Sequence, residues 1–354
     1  MRPASTPVRA VLVALATTAL AVLWPAVASA QPAPVDACVM NDKRLNELSG
    51  LVSDGENWYA VNDGGTKSTV YVLSRETCKV QDVISGPVDP FDVEDLARGA
   101  DGTFWLSDTG DNGGKRETVA LIALTPGGKA TLHRLTYPDG AHDTETLLVD
   151  KNGVPYLVAK SPFGVSDVYR PKGPLSSPGP TVLEHLGSVQ IEGTDTKGGP
   201  VNPIIGSMAV TGGSVSADGN LVALRTYTDA YVFSAPGGDV AAALLKGTAA
   251  RIPLAGEKQG EAIAFQPDGS LVSASEGVGQ PIRVVPGAAA LAPAAGGGST
   301  TAPKSSEGAA AAADGVQAVA SEDNGLSTLP ALGVTAVAVG GILFVMHRRA
   351  VRRS

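Results

Sequence analysis

Short β-prone runs recur through the middle of this chain, and each pair is split by a turn that carries glycine. In the stretch Val93–Gly114 an apolar run through Leu96-Ala97 meets Asp101-Gly102, and Thr103-Phe104-Trp105-Leu106 returns. Asp-Gly between two such runs predicts a hairpin, because glycine accepts the positive φ that a tight turn needs. Four more copies align on the turn glycine: Glu47-Leu-Ser-Gly-Leu before Gly55, Glu145-Thr-Leu-Leu-Val before Gly153, Thr211-Gly-Gly-Ser-Val before Gly219, and Glu261-Ala-Ile-Ala-Phe before Gly269. Counting back 8 positions from each glycine gives Glu47, Glu94, Glu145, Thr211 and Glu261. Counting forward 6 to 8 gives Asp63, Asp108, Lys160, Arg225 and Glu276. In an antiparallel pair both positions lie at the open end, away from the turn, so these side chains are expected along one edge.

The turn glycines are 47, 51, 66 and 50 residues apart. Repeats of about 50 residues, with no long amphipathic helix among them, predict an all-β propeller with one four-stranded sheet per blade. Five blades are expected, or six if a degenerate one hides in the chain. The segment Asp36–Met40 is expected to supply the missing outer strand of the last blade and so close the ring, which removes exposed strand edges. The longest interval contains a Pro-rich insert, Arg170–Pro180, and a polar loop, Glu192–Pro203.

The flanks differ in kind. Arg2 and Arg9 precede an apolar run and the small residues Ala28-Ser29-Ala30, the pattern of a secretory signal peptide over residues 1–30. The propeller is expected over 31–286 and an Ala/Gly/Ser/Pro-rich stalk, too poor in apolar surface to order itself, over 287–325. Residues 326–346 are apolar and uncharged, long enough to span a bilayer, and the basic tail 347–354 follows. Together these predict a single-pass type I protein of the cell membrane, with the propeller outside and an extracellular ligand of unspecified kind. Cys38 and Cys78 lie in the exported part, where an even pair is expected to form a disulfide. A net charge of −8 disfavours nucleic acid as a partner.

If the hairpins are the inner strands of the blades, Glu47, Asp63, Glu94, Asp108, Glu145, Glu261 and Glu276 gather at the channel mouth with Lys160 and Arg225. Carboxylates held so close repel one another, and two cations are too few to compensate. A hard cation that takes several oxygen ligands, calcium above all, is the expected cofactor. The loop Ser107–Arg116 adds Asp111 and Asn112 around glycine, a composition suited to oxygen coordination. Read singly, each Glu is better explained as a strand-end group that accepts backbone N–H bonds; only the ring as a whole points to a cation. His142 is a further candidate base or ligand beside Glu145, and Arg225–Tyr231 offers a cation and two tyrosines near the mouth. No GxSxG, P-loop or HExxH motif occurs, which disfavours serine-hydrolase chemistry.

Glu47-Leu-Ser-Gly-Leu, Val93-Glu-Asp-Leu-Ala, Ser107-Asp-Thr-Gly-Asp-Asn, Tyr137-Pro-Asp-Gly-Ala-His-Asp-Thr-Glu145 and Gln259-Gly-Glu-Ala-Ile-Ala264 resemble secreted actinobacterial propellers of the phytase-like, or "esterase-like activity of phytase", group over Leu45–Val285. The resemblance implies a metal role for Glu94, Asp108, Asp111 and Glu261, and a phosphate role for Arg116, Lys160 and Arg225. Two functions are therefore expected: a surface binding or scaffold module with a cation at its acidic mouth, or a metal-dependent phosphoric- or carboxylic-ester hydrolase. No residue stands out as nucleophile or base, which favours the binding module.

Overall fold

A computed structural model of the chain describes residues 32–294. The expected signal peptide over 1–30, most of the expected stalk over 287–325, the expected membrane span over 326–346 and the basic tail 347–354 lie outside the described residues. Among the described residues no helix is long and apolar enough to cross a membrane.

After β1 (Val35–Met40), the strands form antiparallel groups of four in chain order. The first group is β2 (Leu48–Ser53), β3 (Asn57–Asn62), β4 (Ser68–Ser74) and β5 (Val80–Gly86). The second is β6 (Val93–Arg98), β7 (Phe104–Asp108), β8 (Val119–Leu124) and β9 (Ala130–Thr136). The third is β10 (Thr144–Val149), β11 (Pro155–Ala159), β12 (Val165–Pro171) and β13 (Thr181–Gln190). The fourth is β14 (Val210–Val215), β15 (Leu221–Thr226), β16 (Asp229–Ser234) and β17 (Ala249–Pro253). The last holds β18 (Gly260–Phe265), β19 (Leu271–Ser275) and β20 (Gln280–Val285), and β1 completes it by pairing with β20. A short parallel contact between β9 and β13 joins the second and third groups. Two short helices, α1 (Pro203–Gly206) and α2 (Val240–Lys246), occupy connections in the longest interval and the fourth group.

The first strands β2, β6, β10, β14 and β18 neighbour one another in cyclic order, with β18 returning against β2. Apolar residues between successive sheets form five separate cores. The seam between the last sheet and the first buries Trp58 among Leu48, Leu51, Ala262 and Ala264, and the Trp58 indole N–H donates to Gln266 Oε1 at 3.2 Å. This is an all-β, propeller-like fold, as the repeat spacing predicts. The turn glycines 55, 102, 153, 219 and 269 have φ between 74° and 93°, the left-handed region reserved largely for glycine.

Two devices close the ring. Cys38 on β1 is disulfide-bonded to Cys78 in the β4–β5 turn, with Cα atoms 5.6 Å apart, so the last sheet is clasped to the first. At the axis, Asp95 on β6 is fully buried. Its Oδ1 accepts from Leu96 N at 2.8 Å, and its Oδ2 accepts from Leu147 N on β10 at 2.8 Å and from Gly213 N on β14 at 3.3 Å. One carboxyl thereby joins three of the inner strands. Beyond β20, a 3-10 turn at Ala288–Leu291 packs back onto β16, with Ala288 buried and Ala289 N bonded to Gly269 O at 2.8 Å. The packed body therefore runs several residues past the boundary expected at 286, because these alanines cover an apolar edge.

Replacing Asp95 with Ala strands three buried N–H donors, and the unfolding free energy is expected to fall by about 3 kcal/mol or more in urea denaturation. Burial pushes the Asp95 carboxyl well above its usual range, against the pull of the three N–H groups. Its contribution is thus full below the unfolded-state value near pH ~4 and is lost as pH rises through the folded-state value. Wild-type stability measured against Asp95→Asn should decline over that window and then level off. Opening the 40-residue disulfide loop by Cys38→Ser should cost about 3–4 kcal/mol in the same assay. A loss below ~1 kcal/mol would mean that sheet pairing alone holds β1.

Candidate functional site

The mouth is built by a repeated irregularity. Each inner strand carries a register shift against its partner, between Leu48 and Gly50, Val93 and Asp95, Thr144 and Thr146, Val210 and Gly212, and Gly260 and Ala262. A β-bulge inserts one extra residue and re-aims its side chain. The extra residues are Ser49, Glu94, Glu145, Thr211 and Glu261. Ser49 Oγ donates to Val93 O at 2.7 Å and Thr211 Oγ1 to Gly260 O at 2.8 Å, each crossing to the next inner strand. In the first hairpin the turn glycine follows the bulge by 6 residues instead of 8, so counting back from Gly55 lands on Glu47 whereas the bulge falls on Ser49. Glu47 is half-buried just outside β2.

Aligned on the bulge, the residue two positions earlier is Glu47, Asp92, Asp143, Ala209 or Gln259. Two of these complete the site. Asp63, Asp92 and Glu94 form one group whose carboxylate oxygens lie within 4.8 Å of one another, and Glu94, Asp143 and Glu145 form a second. Glu94 belongs to both. All five residues are buried except Asp143, which is half-buried. Sequence counting finds Asp63, Glu94 and Glu145 but misses Asp92 and Asp143. The acid-x-Glu spacing in Asp92-Val93-Glu94 and Asp143-Thr144-Glu145 is the signal that would have found them.

Backbone contacts fix the arrangement. Asp63 O accepts from Val93 N, and Asp92 O from Gly110 N, both at 3.2 Å. Gly110 has no room for a side chain, since a Cβ there would collide with the carboxyl groups of Asp92 and Glu94. Asp143 Oδ1 accepts from Asp111 N at 2.8 Å. The ammonium of Lys160 is ion-paired with Glu145 and stands 5.2 Å from the centre of the Tyr227 ring.

The other expected ligands serve the frame. Asp108 Oδ1 accepts from Phe91 N at 3.2 Å, Asp92 N at 2.9 Å and Arg116 Nη2 at 3.1 Å, so it orients the segment bearing Asp92. Burial pushes the Asp108 carboxyl up, and the Arg116 guanidinium pulls it back. Asp111 spends its two oxygens on Lys115 N at 3.0 Å and Arg116 N at 2.8 Å, which closes the loop. Asn112 is half-buried in that loop and belongs to neither carboxylate group. Glu261 accepts from Gln259 Nε2 at 3.1 Å, and Glu276 is half-buried; neither joins a carboxylate group. Arg116 also donates to Gly110 O at 2.8 Å and lies 4.8 Å from the centre of the Phe91 ring. His142 turns to Asp139 and to Tyr169, at 3.0 and 2.9 Å. Tyr231 stands on β16, two strands out from the inner strand of its sheet, and pairs with Leu224 and Arg251.

Arg225 departs furthest from expectation. Its side chain is fully buried, and its guanidinium donates to Thr226 O, Ala262 O, Ala274 O, Tyr227 O and Glu257 Oε2. Every N–H is committed, two to the local carbonyls of Thr226 and Tyr227 and three across the seam to Ala262, Ala274 and Glu257, which leaves none for an anion. Ser273 Oγ donates to the other Glu257 oxygen at 2.6 Å. Arg225→Met strands Glu257 as a buried, unpaired charge and should lower stability by about 3–5 kcal/mol in urea unfolding. A change under ~1 kcal/mol would show that the pair is dispensable.

Ring and mouth together define an all-β, propeller-like protein with a carboxylate-lined mouth. No protein-family profile matches the chain, and no curated protein matches it by sequence. Among solved structures it is similar to a candidate gluconolactonase, with 14% identity, 65% of this chain and 70% of that one covered, and a TM-score of 0.38. It is also similar to the hydrazine synthase of Kuenenia stuttgartiensis (10% identity, 66% and 94% covered, TM-score 0.37) and to streptogramin B lyase (12%, 70% and 96%, 0.37). At these values no residue role passes from those proteins to this chain.

Proposed function

We infer that this is an exported, membrane-anchored propeller of five blades whose mouth holds a divalent cation and presents it to an extracellular ligand. The observation that carries this reading is the pair of carboxylate groups sharing Glu94. An all-oxygen donor set on fixed backbone suits a hard cation, and calcium tolerates such irregular geometry better than magnesium. The signal-peptide pattern at 1–30 and the apolar run at 326–346 support an outside location with the propeller on a stalk. Of the four residues to which the phytase-like resemblance gives a metal role, Glu94, Asp108, Asp111 and Glu261, only Glu94 belongs to the carboxylate groups, so the site rests on the grouping of Asp63, Asp92, Glu94, Asp143 and Glu145.

Ester hydrolysis is the second reading, and the ion pair of Lys160 with Glu145 beside the carboxylates favours it. A bound cation there would supply Lewis acidity and a more acidic water. Lys160 would then orient an anionic phosphate or carboxylate ester once Glu145 turned to the cation.

Calorimetric calcium titration, paired with a thermal melt in chelator, tests the reading. Wild-type protein should bind calcium and melt lower in chelator. Glu94→Gln, which weakens both groups, should lose affinity by at least ~10-fold, whereas Glu261→Gln should stay within ~2-fold. No heat and no chelator shift would make these acids strand-end hydrogen-bonding groups. Calcium-dependent turnover of p-nitrophenyl phosphate or acetate, lost in Lys160→Met with calcium affinity kept, would move the assignment to the hydrolase.

A further inference from the structure

Away from the mouth, a cleft of about 1000 Å³ separates the end of β13 from the β16–β17 face of the next sheet. It contains none of the mouth carboxylates. On β16, Tyr231 and Phe233 are two residues apart and so share a face. They pair across the ladder with Arg251 and Ala249 of β17, which brings all four into the cleft. Val189 from β13 and Leu244 from α2, both buried, extend the apolar floor.

Tyr231 is 8% exposed, and its hydroxyl is shielded from solvent with no hydrogen-bond partner among the described residues. Buried tyrosine hydroxyls ordinarily find an acceptor, so an unmatched one lining a cleft marks where a ligand oxygen belongs. Burial raises the hydroxyl's pKa, with nearby Asp229 adding to the rise and Arg251 opposing it. The group therefore remains a proton donor through the physiological range. The charges around it are nearly balanced. Arg251 is paired with Asp229 at 2.8 Å, and Lys246 lines the same cleft as Glu192 and Asp195. Nothing in such a lining rewards an anion, whereas the aromatic and aliphatic floor rewards an apolar body.

We propose that this cleft is a second ligand site, for a small uncharged organic molecule with an apolar, ring-bearing body and a carbonyl or ether oxygen that accepts from the Tyr231 hydroxyl. Recognition is by shape and one directed hydrogen bond, and it is independent of any cation at the mouth.

Benzophenone, an uncharged two-ring ketone that inserts into nearby C–H bonds under ultraviolet light, is the probe. The full chain is photolabelled over a concentration series and the adducts are located by peptide mass spectrometry. Saturable labelling is expected in peptides spanning 188–195 and 244–251. Tyr231→Phe, which removes one oxygen and keeps the ring, should raise the half-saturating concentration about fivefold. Ala249→Trp, which fills the cleft opposite Phe233, should abolish these adducts; should that variant fail to fold, Tyr231→Phe decides alone. Fluorenone should compete at a concentration about fivefold lower than fluorene, which has the same rings without the oxygen. Non-saturable or evenly spread labelling, an unchanged Tyr231→Phe curve, or equal competition by fluorene would overturn the proposal. The last two results would leave an apolar groove with no directed recognition.

Discussion

Five strands that converge on one axis must bring their backbones closer than most side chains allow, and this crowding governs the molecule. Near the axis the chain uses either nothing or something very specific. Gly50 and Gly212 sit where a Cβ would strike the neighbouring inner strand, and Asp95 fills the space that remains. Its carboxyl is held by amides of three strands, so it fixes their relative positions more tightly than apolar packing could. A buried acid is an expensive group to place there, and the number of N–H donors it satisfies is what makes it tolerable.

The same geometry produces the site. A bulge at the open end of every inner strand turns one extra side chain toward the channel, and its chemistry differs from sheet to sheet. Ser49 and Thr211 use it to bond the next strand, so those sectors are structural. Glu94 and Glu145 occupy it in adjacent sheets, and the acids two residues upstream join them. The carboxylates are consequently crowded into one sector of the mouth, bounded by Asp63 on one side and Lys160 on the other. Asp108, Asp111 and Arg116 surround that sector as a backbone-holding frame, and Gly110 lets the frame approach it.

Polar contacts also cross the seams between sheets. Arg225 with Glu257 joins the fourth sheet to the fifth, and Trp58 with Gln266 joins the fifth to the first. Against these, the cleft beside Tyr231 is a seam left partly open, where the long interval between the third and fourth turn glycines inserts extra chain. Residues 188–195 and 244–249 line it, and the Tyr231 hydroxyl finds no hydrogen-bond partner among the described residues.

Sequence alone determined the repeat, the hairpins, the pairing of Cys38 with Cys78 and the completion of the last sheet by β1. Each rests on features a sequence carries: β-prone runs repeated at a fixed interval, glycine at a positive φ, and a single pair of cysteines. It also determined that acids would collect at the open ends of the hairpins. Tertiary structure decided which ones. A bulge shifts register by one residue, and the first turn glycine stands two residues nearer its bulge than the others do; neither leaves a mark in a count from the glycine. So Glu47 gave way to Ser49, and Arg225, at the spacing of a mouth residue, was drawn into a seam. Hydrogen-bond partners decided the rest, since an Asp that holds backbone amides and an Asp that faces other carboxylates look alike until the strands around them are placed.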